Sequence, residues 1–446
     1  MSEKVGSEGY FGATGRRYRS LCSPFVLAIL LAGSILTSAL AQEPLRRVTL
    51  DQALRMFEEN NLELRLVLAE RDEAEGLAEQ ARAYPNPVAT LTHEGLSEGD
   101  ADYSESYFTV SQRLEWPGRR DARIASSDQD SAAAESRVAV ERQRLLFEVK
   151  RAFLEAASVE RQLAAIEEVL AIFRFAEESG RQRLREGDLS GYDVRRLRIE
   201  RARYENLAAT QAIALQNARL RLGSLVLPGS IEEGQRGLVP AASPDGRPPA
   251  LMVLSEEAAL ERAFEIRADL HGAEAQVAAA EAALRHVSTF RYPEVTLTGG
   301  YKRQSDGLDG YFLGGSLPLP VFDRRQGDVA AAGARVRRGA TQLDLVRRTV
   351  ANDVRIAFSA YLSVLERVDL IRGQLLDGVD DLLRIAQVSY GEGGMSLLEL
   401  LDAADAYRES QIAVSELTAE LWIRYYDLER AMGGFPSTTI ALEGQP

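Results

Sequence analysis

Apolar residues recur along two long stretches of this chain at alternating steps of four and three. Leu145, Val149, Ala152, Ala156, Val159, Leu163, Ile166, Leu170 and Phe173 follow the rule in the first half. Val354, Ala357, Tyr361, Val364, Val368, Ile371 and Leu375 follow it in the second. Such a stripe is the seam of a coiled coil. Each lies in a proline-free run, between Pro117 and Pro228 and between Pro320 and Pro436. A helix from Arg120 to Glu186 would be a rod of roughly 100 Å at 1.5 Å per residue. Each rod meets a glycine-bearing turn, Glu186–Gly191 or Gly391–Gly394, and a return helix follows, Tyr192–Leu222 or Leu397–Met432. Each half therefore predicts a long helical hairpin with its turn at the far end.

Ahead of each rod the period changes to two. Val88–His93 and Tyr107–Trp116 read as strands separated by a polar loop, "EGLSEGDADYSE". Val295–Arg303 and Tyr311–Val321 read likewise, separated by "QSDGLDG". Phe108, Val110, Gln112, Leu114 and Trp116 share one face, and Thr109, Ser111, Arg113 and Glu115 the other. Isolated hairpins are marginal in water, and four strands close no barrel, so several copies must contribute strands.

This grammar is written twice. The stretch from Leu50 to Arg221 returns from Leu254 to Arg424, shifted by about 205 residues. "YPNPVATLT" at Tyr84–Thr92 returns as "YPEVTLT" at Tyr292–Thr298, and "EVKRAFLEA" at Glu148–Ala156 as "DVRIAFSAY" at Asp353–Tyr361. The expected organisation is a first repeat over 42–225, a linker over 226–253 rich in proline and glycine, a second repeat over 254–432 and an irregular tail over 433–446.

Residues 1–41 have the form of a secretory signal. Arg16, Arg17 and Arg19 precede an apolar core at Phe25–Leu36, and Ala39-Leu40-Ala41 is an A-x-A cleavage site. Twelve apolar residues are too few to span a bilayer as a helix. The single cysteine, Cys22, leaves with the signal, so the mature chain suits an oxidising compartment without disulfides. The signal carries four basic and two acidic residues against a whole-chain charge of −14, which leaves −16 for the mature protein. Nothing basic remains to hold nucleic acid.

Signal, helix, strand hairpin, long helix, glycine turn and return helix, all repeated, resemble the TolC-type outer-membrane factor family over essentially the whole mature chain. "LEWPGRR" at Leu114–Arg120 and "LPLPVFDRRQG" at Leu317–Gly327 are similar to the CzcC-like branch, which partners heavy-metal resistance–nodulation–division pumps. The resemblance implies a mixed α/β membrane protein: a homotrimer with four strands per chain in a twelve-stranded β-barrel, continued by a coiled-coil α-barrel. It further implies a bacterial outer-membrane location, outer-membrane lipid around the barrel, a periplasmic adaptor (membrane fusion) protein and an inner-membrane pump as partners. Pro117, Gly118, Arg119, Pro320 and Arg324 fall where strand hands over to helix, since proline stops a sheet ladder yet suits a helix start.

The tip of the second hairpin reads "SYGEGGMSLLELLDA" from Ser389 to Ala403. In the family such a tip carries a gating tyrosine and two carboxylates, which map onto Tyr390, Glu399 and Asp402. Asp193 maps onto an aspartate that pairs with the tyrosine across helices, and Met395 replaces an arginine found in some members. Spacing of three puts Glu399 and Asp402 on one helix face, where threefold symmetry would stack two acidic rings. Read without the family they are ordinary solvated helix charges. Gly187, Gly191, Gly393 and Gly394 are expected as turn formers. With Leu189, Ser190 and Ser396 they form the tips that the resemblance assigns to adaptor docking.

The three histidines, His93, His271 and His286, show no metal-binding spacing, and no constellation suits a catalyst or a cofactor. The function implied is a passive exit duct for an efflux pump, with metal cations one candidate cargo. A duct for type I polypeptide secretion is the first alternative, and a periplasmic coiled-coil adaptor or scaffold the second.

Overall fold

The computed structural model describes residues 47–98, 101–227, 238–241, 247–249, 255–375 and 379–434. The expected signal, most of the linker and most of the tail lie outside the described residues. In chain order the elements are β1 (Arg47–Val48), α1 (Leu50–Asn60), α2 (Leu62–Ala81), β2 (Val88–Glu98), β3 (Ala101–Leu114), α3 (Arg119–Glu186) and α4 (Gly191–Val226). Then follow β4 (Val239–Pro240), α5 (Glu256–Ile266), α6 (Ala268–Thr289), β5 (Val295–Gln304), β6 (Asp309–Ser316), α7 (Gln326–Leu375), α8 (Val379–Gly391) and α9 (Leu397–Ala431).

Capping side chains set several helix starts. Thr49 forms a capping box with Gln52 before α1, and Asn61 and Ser255 accept from Leu64 and Ala258 at α2 and α5. The rod α3 is continuous over 68 residues. Its seam is buried from Leu145 to Ala156 and again at Ile166, Leu170 and Phe173. Burial is wider than the seam predicted, taking in Phe153, Leu154, Ala157, Val169 and Ile172, because α3 packs against α2, α4, α6 and α9. The rod α7 buries its seam from Val354 to Val368 but leaves Ile356 and Leu370 exposed. Its described neighbours are α5, α6 and α9.

The main sheet is antiparallel in the order β2-β3-β5-β6. The helices behind it run in the same order, α2 on α3, α3 on α6 and α6 on α7. Two strand boundaries differ from the sequence reading. The segment expected as a polar loop after His93 is mostly strand, with Glu94 opposite Glu105 and Leu96 opposite Tyr103, because alternation continues through its polar residues. The strand expected to reach Val321 stops at Ser316, since Pro318 and Pro320 remove ladder donors. A two-residue parallel bridge, Arg47 to Val239 and Val48 to Pro240, ties the segment ahead of α1 to the mid-chain segment.

Candidate functional site at the hairpin tips

The two tips are built alike. At the first, Gly187 takes φ 87° and ends α3, and Ser190 caps α4 by accepting from the Asp193 N–H at 3.2 Å. At the second, Gly393 takes φ 80°, and Ser396 caps α9 by accepting from the Glu399 N–H at 3.4 Å. Gly191 and Gly394 keep ordinary φ: Gly191 already lies in α4, and one left-handed glycine suffices for each reversal.

Asp193 and Glu399 thus occupy the same position, third in their helices. Ser190 Oγ donates to Asp193 at 2.6 Å. Glu399 accepts from the Ser396 N–H at 2.8 Å and its Oγ at 2.6 Å, a full capping box. These bonds hold the Glu399 carboxyl below its ordinary pKa, the hydroxyl first and the backbone N–H second. Asp402, three residues on, is exposed and has no partner among the described residues.

Within the chain the expected bond between Tyr390 and Asp193 is not made. Tyr390 is buried to 1% exposure, and its hydroxyl finds no hydrogen-bond partner among the described residues. Burial raises its pKa, the nearby Arg183 opposing. Asp193 turns instead to its own helix start, where it accepts from the Ser190 hydroxyl. Arg183, from the first hairpin, donates to the Tyr390 carbonyl at 3.3 Å, and its guanidinium lies 5.9 Å from the Tyr390 ring centre. Met395 packs half-buried against the core here, so an arginine does reach the second tip, but from the other hairpin.

Deeper in, the hairpins are joined by tyrosine–carboxylate bonds. Tyr204 Oη donates to Asp405 at 2.7 Å and Tyr407 Oη to Glu168 at 2.5 Å. Burial, then the Asp405 bond, raises the Tyr204 pKa. Glu177, 3% exposed, faces Arg181 at 2.5 Å, Arg201 at 2.7 Å and Arg198 at 3.4 Å, pinning α3 to α4. A Cβ at Gly180 would meet Leu197 at 3.1 Å and Leu189 at 3.2 Å, so glycine lets the turn close on the rod. Ser158 and Ser415 bond across a buried α3–α9 crossing at 3.0 Å.

Residues 259–434 match the model of a family described as outer membrane efflux protein. The chain is 22% identical to the cobalt-zinc-cadmium resistance protein CzcC of Cupriavidus metallidurans, over 92% of its own length and 96% of that protein's. It is 27% identical to the nickel-cobalt-cadmium resistance protein NccC of Alcaligenes xylosoxydans xylosoxydans, covering 75% and 74%. Its fold is that of the Campylobacter jejuni CmeC outer membrane channel, with a TM-score of 0.73 over 87% of this chain and 86% of that one, at 14% identity. The second half of the chain thus carries the pattern of outer membrane efflux proteins, and nearly its whole length is similar to CzcC.

Sequence reasoning missed several contacts in this chain. Tyr204 and Tyr407 each stand seven residues after a buried leucine, Leu197 and Leu400, so heptad spacing marked both as inward. Arg183 and Glu177 gave no such signal, being ordinary charges in a charged helix. The strand-to-helix residues divide sharply. Gly118 takes φ 83° ahead of α3, and Arg119 is buried to 1% exposure. Pro320 is half-buried and Arg324 exposed. Among the described residues no helix is long and apolar enough to cross a membrane, and no group of three potential ligands could hold a metal ion.

Proposed function

We propose that this protein is the outer-membrane exit duct of a tripartite efflux system, a homotrimer whose twelve strands close one barrel and whose helices continue it into the periplasm. The observation that carries this is a sheet with two unpaired edges, β2 and β6, whose strands run 11, 14, 10 and 8 residues. A tilted membrane strand needs about 9–11 residues, and lipid tolerates no open edge. Leu91, Phe108, Leu297 and Leu313 expose apolar side chains along these strands, as a lipid-facing band requires.

The tips are the natural place for an adaptor. Gly187, Ser190, Gly191, Gly393, Gly394 and Ser396 are exposed, with Leu189 half-buried beside them. Tyr192 and Leu398, each second in its helix, are 70% and 64% exposed, giving both tips an apolar contact of the same kind. Glu399 and Asp402 would form two acidic rings at the entrance, with Tyr390 and Asp193 behind them. The relatives' names point to divalent cations as cargo, which such rings would attract.

Planar-bilayer recording tests this reading. The purified protein should insert in uniform steps that conduct in proportion to bulk salt conductivity and favour cations. Asp402→Asn should keep the steps and lower the cation preference. A folded, membrane-inserted protein that conducts nothing would exclude the duct; unchanged selectivity in the variant would return Asp402 to an ordinary solvated face.

A further inference from the structure

One kind of junction is complete inside the chain and incomplete at its edges. Between β3 and α3, Trp116 stacks on Tyr292 with ring centres 5.0 Å apart and planes at 10°. Arg119 donates to the carbonyls of Thr289 at 3.0 Å and Tyr292 at 2.7 Å, pairs with Glu294 and lies 4.4 Å over the Phe290 ring. The start of α3 thereby clamps the corner between α6 and β5.

The matching junction between β6 and α7 makes no such clamp among the described residues, although its Arg325 lies 5.9 Å from the Phe290 ring centre. Under the repeat, Arg324 stands for Arg119 and Val321 for Trp116. Arg324 is exposed with no side-chain partner among the described residues, and Val321 is 60% exposed. At the opposite edge the corner between α2 and β2 is the counterpart of the one Arg119 holds, with "YPN" at Tyr84–Asn86 matching "YPE" at Tyr292–Glu294. Tyr84 is 72% exposed. The neighbouring carbonyls of Ala81, Arg82 and Ala83 are taken by Arg123 and Arg120. The Tyr84 carbonyl, counterpart of the one Arg119 holds at Tyr292, has no donor among the described residues.

We propose that a second copy of this chain completes both edges: the β6–α7 junction of one subunit seats on the α2–β2 corner of the next. There Arg324 donates to the Tyr84 carbonyl, and Val321 covers the Tyr84 ring as Trp116 covers Tyr292. Asn86 stands where the inner corner has Glu294, so this clamp is a hydrogen-bonded one without an ion pair. The assignment rests on the trimeric reading above and adds which residues meet at each subunit boundary.

With no cysteine after Cys22, engineered thiols report without background. In the full-length protein, Tyr84→Cys with Val321→Cys should be joined between subunits by a short bifunctional thiol reagent, giving a ladder of two and three linked chains in denaturing gels. Trp116→Cys with Tyr292→Cys should give only an internal link and no ladder. A parent of trimeric mass whose Tyr84–Val321 pair gives no ladder overturns this assignment and leaves the trimer standing; a monomeric parent overturns the trimer itself. Should the double-cysteine variant fail to reach the outer membrane, Arg324→Ala decides. Trimers that dissociate at a lower temperature than the parent support the clamp, and an unchanged dissociation temperature overturns it.

Discussion

Tyr390 shows how much a single hydroxyl can mislead. The family pattern gives it a bond to Asp193, yet in this chain the hydroxyl is buried without a partner and Asp193 serves its own helix. An unsatisfied buried hydroxyl costs about 1–3 kcal/mol, so removing it should not harm the fold. Tyr390→Phe is therefore expected to leave the helical unfolding midpoint, followed by circular dichroism, unchanged or raised. A clear fall would mean that the hydroxyl has a partner in the assembled protein. What holds the ring in place is packing and the Arg183 contact, neither of which the substitution touches.

At the scale of elements, the hairpin turns depend on caps as much as on glycine. Ser396→Ala removes the hydroxyl half of the box that starts α9, with its bond to the Glu399 carboxylate, and leaves the backbone N–H half, a loss of about 1 kcal/mol for a typical N-cap. The same box carries a pH signature. The folded pKa of Glu399 is depressed, so its contribution is complete above the ordinary carboxylate value of about 4.3 and disappears as pH falls through the lower folded value. Acid titration of helix content should show the parent losing stability over that window and Ser396→Ala losing less. Equal loss in both would detach Glu399 from the cap. The seams and the rods were legible in the sequence, whereas the caps were not singled out there, although each is a serine followed three residues later by an acid. The strand ends were not legible, because polar residues that still alternate look like loop until their cross-strand partners are known. Nor was the Tyr390 environment, which depends on an arginine 207 positions away in the chain.

Among the described residues, the four strands of the main sheet and the four helices behind them run in matching order, with both ends of that row open. Repetition explains why: a unit that pairs with its neighbour inside the chain presents the same faces outward, and a ring of copies satisfies all of them. The ring proposed above would enclose a path rather than a core, which is what an efflux duct needs. Accumulation of cargo in the living host tests this most directly. Cells lacking the protein, with the pump and adaptor still expressed, should retain several-fold more of at least one class from a panel of divalent cations and hydrophobic compounds, and the reintroduced protein should restore export. Unchanged retention across the whole panel would contradict the account.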